Sequence, residues 1–189
     1  MAFNMGQHFL VLFLRKKRQF LEEELFREGY KPVYHQDAFR EVLRNEVKRA
    51  GRYHVPVSLC FIDLDEREKL YEKHGKGYGD KIHENFEKLV STIIRASDYL
   101  CRLDNRQFCI LLSHTNLAHA ENFVYRLLLQ SQERLELSFS SGLTSYRTGE
   151  TPQMFIERGQ KALFRAKHDG IKKTHCAIGK DGERVIKTF

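Results

Sequence analysis

The chain contains no Cys-x-x-Cys pair and no His-x-x-x-His pair, although it carries four cysteines and nine histidines. Without either spacing a zinc site has no local framework. Cys60, Cys101, Cys109 and Cys176 stand among apolar or strand-forming residues, which favours reduced, buried thiols in a cytoplasmic protein. No apolar run approaches the ~20 residues of a membrane-spanning helix; the longest is Phe9 to Leu14. Charges follow that run rather than precede it, and no small-residue cleavage site comes after it, so it does not read as a secretory signal. Low-complexity tracts and internal repeats are absent. So is a Lys/Arg stripe with interleaved aromatics, which argues against a nucleic-acid surface.

What the chain does have is core material. Hydrophobic residues make up 41% of 189 residues, with 14 Phe and 8 Tyr, enough for one domain plus an extension. The formal net charge of +7 and pI of about 9.2 suit an anionic partner, or simply a well-solvated surface; charge alone does not choose.

Periodicity orders the chain into elements. Leu10, Leu14, Leu21 and Leu25 form a helical stripe in residues 1–30, closed by Gly29 and Pro32. Its basic block at Arg15 to Arg18 is followed by acid at Glu22 to Glu24, which favours packing or partner docking over an anionic membrane. Phe39, Val42, Leu43, Val47 and Ala50 predict a helix over Asp37 to Ala50. Pro56 to Leu64 is a nearly continuous apolar strand, covered on both faces, that delivers Asp63 and Asp65 at its end. A short helix over Glu66 to His74 and a glycine-rich break at Lys76-Gly77-Tyr78-Gly79-Asp80 follow. The next helix turns Ile82, Phe86, Leu89 and Ile93 inward. After a hairpin come a helix from Leu117 to about Gln130, a strand from Leu135 to Thr144, and a helix started by Thr151-Pro152. Two short strands flank Gly179-Lys180-Asp181-Gly182. This order predicts an α+β fold, a mostly antiparallel sheet with helices packed on it.

The hairpin is the most informative stretch. Tyr99, Cys101 and Leu103 alternate into it, and Phe108, Ile110 and Leu112 alternate out, with Asp104-Asn105-Arg106-Gln107 between. Five residues before its tip lies Arg95-x-x-Asp98, which closes the preceding helical pattern. At i and i+3 of a helix end the two side chains share one face.

This stretch resembles the heart of a GGDEF domain, the diguanylate cyclase fold. There an Arg-x-x-Asp motif stands five residues before a hairpin carrying Gly-Gly-Asp/Glu-Glu-Phe. The spacing and Phe108 match; Asp104, Asn105, Arg106 and Gln107 do not. The resemblance implies a ferredoxin-like, nucleotidyl cyclase palm over residues 31–178. An N-terminal helical extension, 1–30, and a C-terminal strand and tail, 179–189, complete the division.

For catalysis, the resemblance implies a divalent cation held by Asp63 and by the third signature residue, here Arg106. The guanine-reading Glu is replaced by Gln107, and the guanine-binding Asn by Tyr71. Asp80 still matches in Gly-x-x-x-Gly-Asp, and Lys167 matches in Ala166-Lys167-x-x-Gly170, but the following Arg is Ile171. Asp104 and Asn105 put side chains where phosphates would lie. The expectation is therefore that the chain is not an enzyme, holds no metal and needs no cofactor, with Asp63 left as a strand-end cap. A residual GTP-using enzyme built on Asp63, Asp80 and Lys167 is the weaker alternative.

For binding, the resemblance implies an inhibitory site for cyclic di-GMP at Arg95 and Asp98. Arginine forks suit phosphodiesters and the guanine O6/N7 edge, and a carboxylate can accept from guanine N1–H and its amine. Arg49, in Val47-Lys48-Arg49-Ala50, and Arg126 stand where the family places secondary arginines that clamp ligand from a second copy. The expectation is a cyclic di-GMP receptor that passes its signal to a protein partner, with residues 1–30 as the docking arm and a ligand-linked homodimer in play. The alternative from another class is a ligand-independent interaction scaffold.

Overall fold

The computed structural model describes residues 31–65, 71–73, 75–104, 106–168, 173–178 and 182–187. The helix expected over 1–30, and most of the one expected over Glu66 to His74, lie outside these residues. The unit considered below runs from Val33 to Phe189.

Its elements are β1 (Val33–Tyr34), α1 (Gln36–Tyr53), β2 (Val57–Leu64), α2 (Lys76–Ile93), β3 (Tyr99–Arg102), β4 (Gln107–Ser113), α3 (Leu117–Leu135), β5 (Phe139–Ser145), α4 (Pro152–His168), β6 (Lys173–Ile178) and β7 (Gly182–Lys187). The strands form one seven-stranded sheet in the order β1-β3-β4-β2-β5-β6-β7. Four of its pairings are antiparallel; β1–β3 and β5–β6 are parallel. The α+β architecture expected from the chain is the one observed.

Two expectations fail here. The strand expected from Leu135 begins at Phe139, because α3 runs on to Leu135. The glycine-rich stretch at Lys76 to Asp80 is no break but the first turn of α2, and the interruption comes one residue earlier, at Gly75 with φ of 82°. Glycine adopts that backbone without a Cβ clash. The helix start read at Thr151-Pro152 is observed: the Met154 amide donates to Thr151 Oγ1 at 3.2 Å. Asn116, which was not anticipated, caps α3, its Oδ1 accepting from the His119 amide at 2.9 Å.

Every residue of β2 is buried. Because strand side chains alternate, Cys60, Ile62 and Leu64 join the core under α2 and α3. Val57, Leu59 and Phe61 join the core under α1 and α4. Asp63 shares this second parity and so faces the α1/α4 layer. Cys60, Cys101 and Cys109 are free thiols buried within the sheet. Burial pushes the Cys101 thiol up to about 12.

Helix α4 lies unusually close to β5. A Cβ on Gly142 would fall 2.2 Å from the Leu163 backbone nitrogen, and one on Gly159 would fall 2.6 Å from the Phe61 ring. The two glycines permit a helix–sheet approach that any side chain would block. Gly142→Ala is therefore expected to destabilise the fold by about 3 kcal/mol, the upper range of core overpacking. Urea unfolding followed by circular dichroism measures it.

Candidate functional site

The ordering of the sheet separates two polar clusters. Ser113 pairs with Val57 at one end of the β2–β4 ladder, and Gln107 pairs with Asp63 at the other. At ~3.4 Å per residue the two ends stand about 20 Å apart.

At the first end, α2 stops at Ile93, and its C-cap Ile94 is extended. Arg95 and Asp98 therefore lie in the turn between α2 and β3, not on a helix end as expected. The physical reason is visible in the turn. The Arg95 amide donates to Asp98 Oδ2 at 2.8 Å, and the Asp98 amide donates to the Arg95 carbonyl at 2.9 Å. A short polar side chain that offers the backbone a local acceptor competes with helix continuation. Asp98 Oδ1 also accepts from the Ser113 amide at 3.1 Å. Asp98 is only 7% exposed, so its first role is to build the turn that carries the exposed Arg95.

Ser113 links this turn to α1. Its hydroxyl donates to Glu46 Oε2 at 3.1 Å, and Glu46 Oε1 accepts from Arg49 at 3.2 Å. Arg49 reaches on to His114 Nε2 at 2.7 Å, with His114 in the left-handed region at φ of 51°. Tyr99 is packed in beside this network, and burial together with Glu46 raises its phenol. Three residues of the expected set, Arg95, Asp98 and Arg49, are thus joined through Ser113 and Glu46. Arg126 is exposed on α3, in the helical layer on the opposite face of the sheet from α1. Glu46, Ser113 and His114 were not anticipated. A buried Glu on the apolar face of an amphipathic helix was the one signal available.

At the other end, Asp63 is buried, its side chain 3% exposed. It does not simply cap a strand. Oδ2 accepts from Gln107 Nε2 at 2.8 Å. Oδ1 lies 2.7 Å from Lys167 Nζ, the distance of a charge-assisted contact, and 3.6 Å from Arg106. The carboxylate of Asp104, expected to repel phosphate, instead accepts the Arg106 and Gln107 amides at 2.7 and 2.8 Å and so closes the hairpin on itself. Arg102 braces the strand before it through Glu87 at 3.4 Å. Burial raises the Glu87 carboxyl, and Arg102 pulls it partly back.

A divalent cation does not fit this arrangement. One carboxylate faces the point, two side-chain cations already lie within 4.0 Å of it, and no group of three His, Cys, Asp or Glu side chains is assembled among the described residues. A hard cation calls for several oxygen ligands.

A helix-flanked antiparallel sheet with its hairpin at this position defines the palm architecture of nucleotidyl cyclases. Residues 32–173 match the family model "Diguanylate cyclase, GGDEF domain", and the chain belongs to that family. Among curated relatives, diguanylate cyclase DgcP of Pseudomonas aeruginosa is 27% identical over 148 residues, 74% of this chain and 22% of its own. The chain spans less than half the length of that protein and of the similar cyclase DgcS of Shewanella oneidensis. Among solved structures, the GGDEF domain of DgcB from Caulobacter crescentus, in complex with cyclic di-GMP, superposes with a TM-score of 0.71 at 16% identity, covering 78% of this chain and 90% of that one. The diguanylate cyclase SiaD from Pseudomonas aeruginosa, in complex with its activator SiaC, gives 0.72 at 22% identity, covering 92% and 69%.

These relatives overturn one expectation, that the chain is not an enzyme: the curated proteins it matches are diguanylate cyclases. The physical reason is that the expectation weighed a few substituted site residues, four on the hairpin together with Tyr71 and Ile171. Family membership is carried by the whole palm, and Asp63 and Lys167 still stand together at the end of its central strand. No helix among the described residues is long and apolar enough to cross a membrane.

If Asp98 holds the turn, Asp98→Ala strands two amide donors, one of them buried, and lowers stability by about 3 kcal/mol. Arg95→Ala removes only an exposed side chain and stays within about 0.5 kcal/mol. Chemical denaturation of the two variants side by side checks the contrast.

Proposed function

We propose that this GGDEF domain binds cyclic di-GMP on the surface carrying Arg95, with Arg49 beside it and Arg126 supplied by a second copy. The observation that carries the reading is the chain of bonds from Asp98 through Ser113 and Glu46 to Arg49. It ties the Arg49 side chain and the turn that carries Arg95 to one end of the sheet. Asp98 accepts the Arg95 and Ser113 amides and in this reading acts by building the turn that presents Arg95.

Hydrogen bonds to charged groups contribute about 1.5–3 kcal/mol each. Three or four of them reach the roughly −8 kcal/mol of a micromolar complex. The DgcB complex with cyclic di-GMP supports the ligand class, and the SiaD–SiaC complex supports a protein partner, with residues 1–30 as its docking arm. Titration calorimetry is expected to find cyclic di-GMP binding at about ten micromolar or tighter, weakened at least about tenfold by Arg95→Ala. Heat-silent titration of folded protein at about 100 micromolar ligand would leave a ligand-independent scaffold in its place.

A second reading, condensation of GTP as in the named relatives, is favoured by Asp63 and Lys167 standing together. Incubation with GTP and magnesium, with chromatography for cyclic di-GMP, is expected to show product if it holds. It is expected to show none above a no-protein blank if it fails.

A further inference from the structure

Tyr53, Tyr125, Leu129, Met154 and Phe164 are the large apolar side chains that stand exposed among the described residues. Of these, only Tyr125 and Leu129 are one helical turn apart, at i and i+4 on α3, where two side chains share a face. They keep 51% and 46% of their surface. Ala120, Phe123, Val124, Leu127 and Leu128 of the same helix are buried in the core. At about 100° per residue, Leu129 lies opposite the middle of that buried face. An apolar side chain at the crest of the solvent-facing surface breaks the amphipathic pattern that the rest of α3 obeys.

The charges beside it show a second regularity. Arg126 stands three residues before Leu129, and Glu133 stands four after it. Both fall on one flank of the crest, at about +60° and +40° from Leu129. Both are exposed, and neither is ion-paired among the described residues. They are separated by about 10 Å along the axis and do not meet on their own helix.

Two copies of this face, run antiparallel about a twofold axis at Leu129, are complementary. Such an interface sets residue i against j and j against i. The axis reverses direction along the helix and keeps each flank on its own side. Arg126 of one copy therefore comes opposite Glu133 of the other, twice over. Leu129 meets its counterpart on the axis, and Tyr125 covers the pair from the other flank.

We infer that two copies of this chain associate through α3, with Leu129 on the symmetry axis and each Arg126 on the second copy's Glu133. The contact needs no ligand. It engages Arg126 in both copies, so it and the ligand-clamping role proposed for Arg126 are alternative states of that arginine. One face of a 19-residue helix, about 28 Å long, covers far less than the roughly 800 Å² per partner of a standard interface. The association is therefore weak and depends on concentration.

Sedimentation velocity of the full chain without nucleotide is expected to show self-association rising between about 10 micromolar and 1 millimolar. Leu129→Glu sets two carboxylates face to face on the axis and is expected to abolish it over that range. Because the position is exposed, the thermal melt followed by circular dichroism is expected not to change. Arg126→Glu and Glu133→Arg each turn two attractions into two repulsions, and each is expected to weaken association about tenfold.

Mixing these two reversal variants gives the sharpest contrast. In equal amounts they restore opposite charges at both contacts, and association is expected to return to within about threefold of the unaltered chain. Pairing through the apolar stripe of residues 1–30 would be indifferent to every one of these changes. Association that survives Leu129→Glu, reversals that are silent or that mixing does not restore, or a monomer at about millimolar protein overturns the inference.

Discussion

β2 is bonded along both edges and covered on both faces, and the rest of the molecule answers to that burial. A strand enclosed in this way cannot leave polar groups at its ends to bulk water, so they must find partners inside the protein. At the Val57 end, Ser58 Oγ donates to the Thr115 carbonyl at 2.8 Å, and the adjoining strand contributes Ser113 to the network of Glu46 and Asp98. At the Leu64 end, Asp63 draws in Gln107, Lys167 and Arg106. One buried strand thus generates two polar clusters about 20 Å apart.

The two clusters are built by different means. The first combines Asp98's bonds to two backbone amides, which build the turn carrying Arg95, with side-chain bonds from Ser113 through Glu46 to Arg49. The second rests on long cationic side chains converging on a single carboxylate, with solvent at their exposed ends. Close contact between α4 and β5 makes the second possible. Because Gly142 and Gly159 bring no side chain to that contact, the helix settles deep enough for Lys167 to reach Asp63. A bulkier residue at either position would move the lysine away from the strand end and change the electrostatics there without touching a charged group.

Much of the fold was legible in the chain. The helical stripes of α1, α2 and α3, the apolar run of β2, the hairpin and the Thr151-Pro152 helix start are local patterns, and local patterns survive folding. The start of α2 was misread because two glycines suggest a break, whereas packing of Ile82 and Phe86 into the core holds the turn helical. The helix-end placement of Arg95 and Asp98 was misread because spacing alone cannot show a side chain capturing a backbone amide. The expectation that the chain is not an enzyme failed because a few substituted site residues, four on the hairpin with Tyr71 and Ile171, were set against an entire palm whose curated relatives are diguanylate cyclases.

What the chain alone determined was the class of fold, the hairpin and the residues able to carry charge, since periodicity and turn chemistry act between near neighbours. Which charges meet was decided only in three dimensions. The pairing of Asp63 with Lys167 depends on how closely α4 lies on the sheet. The joining of Arg49 to Asp98 depends on a serine from a third element. Electrostatic partners are chosen by distances between segments far apart in the chain, and those distances exist only once the helices have packed.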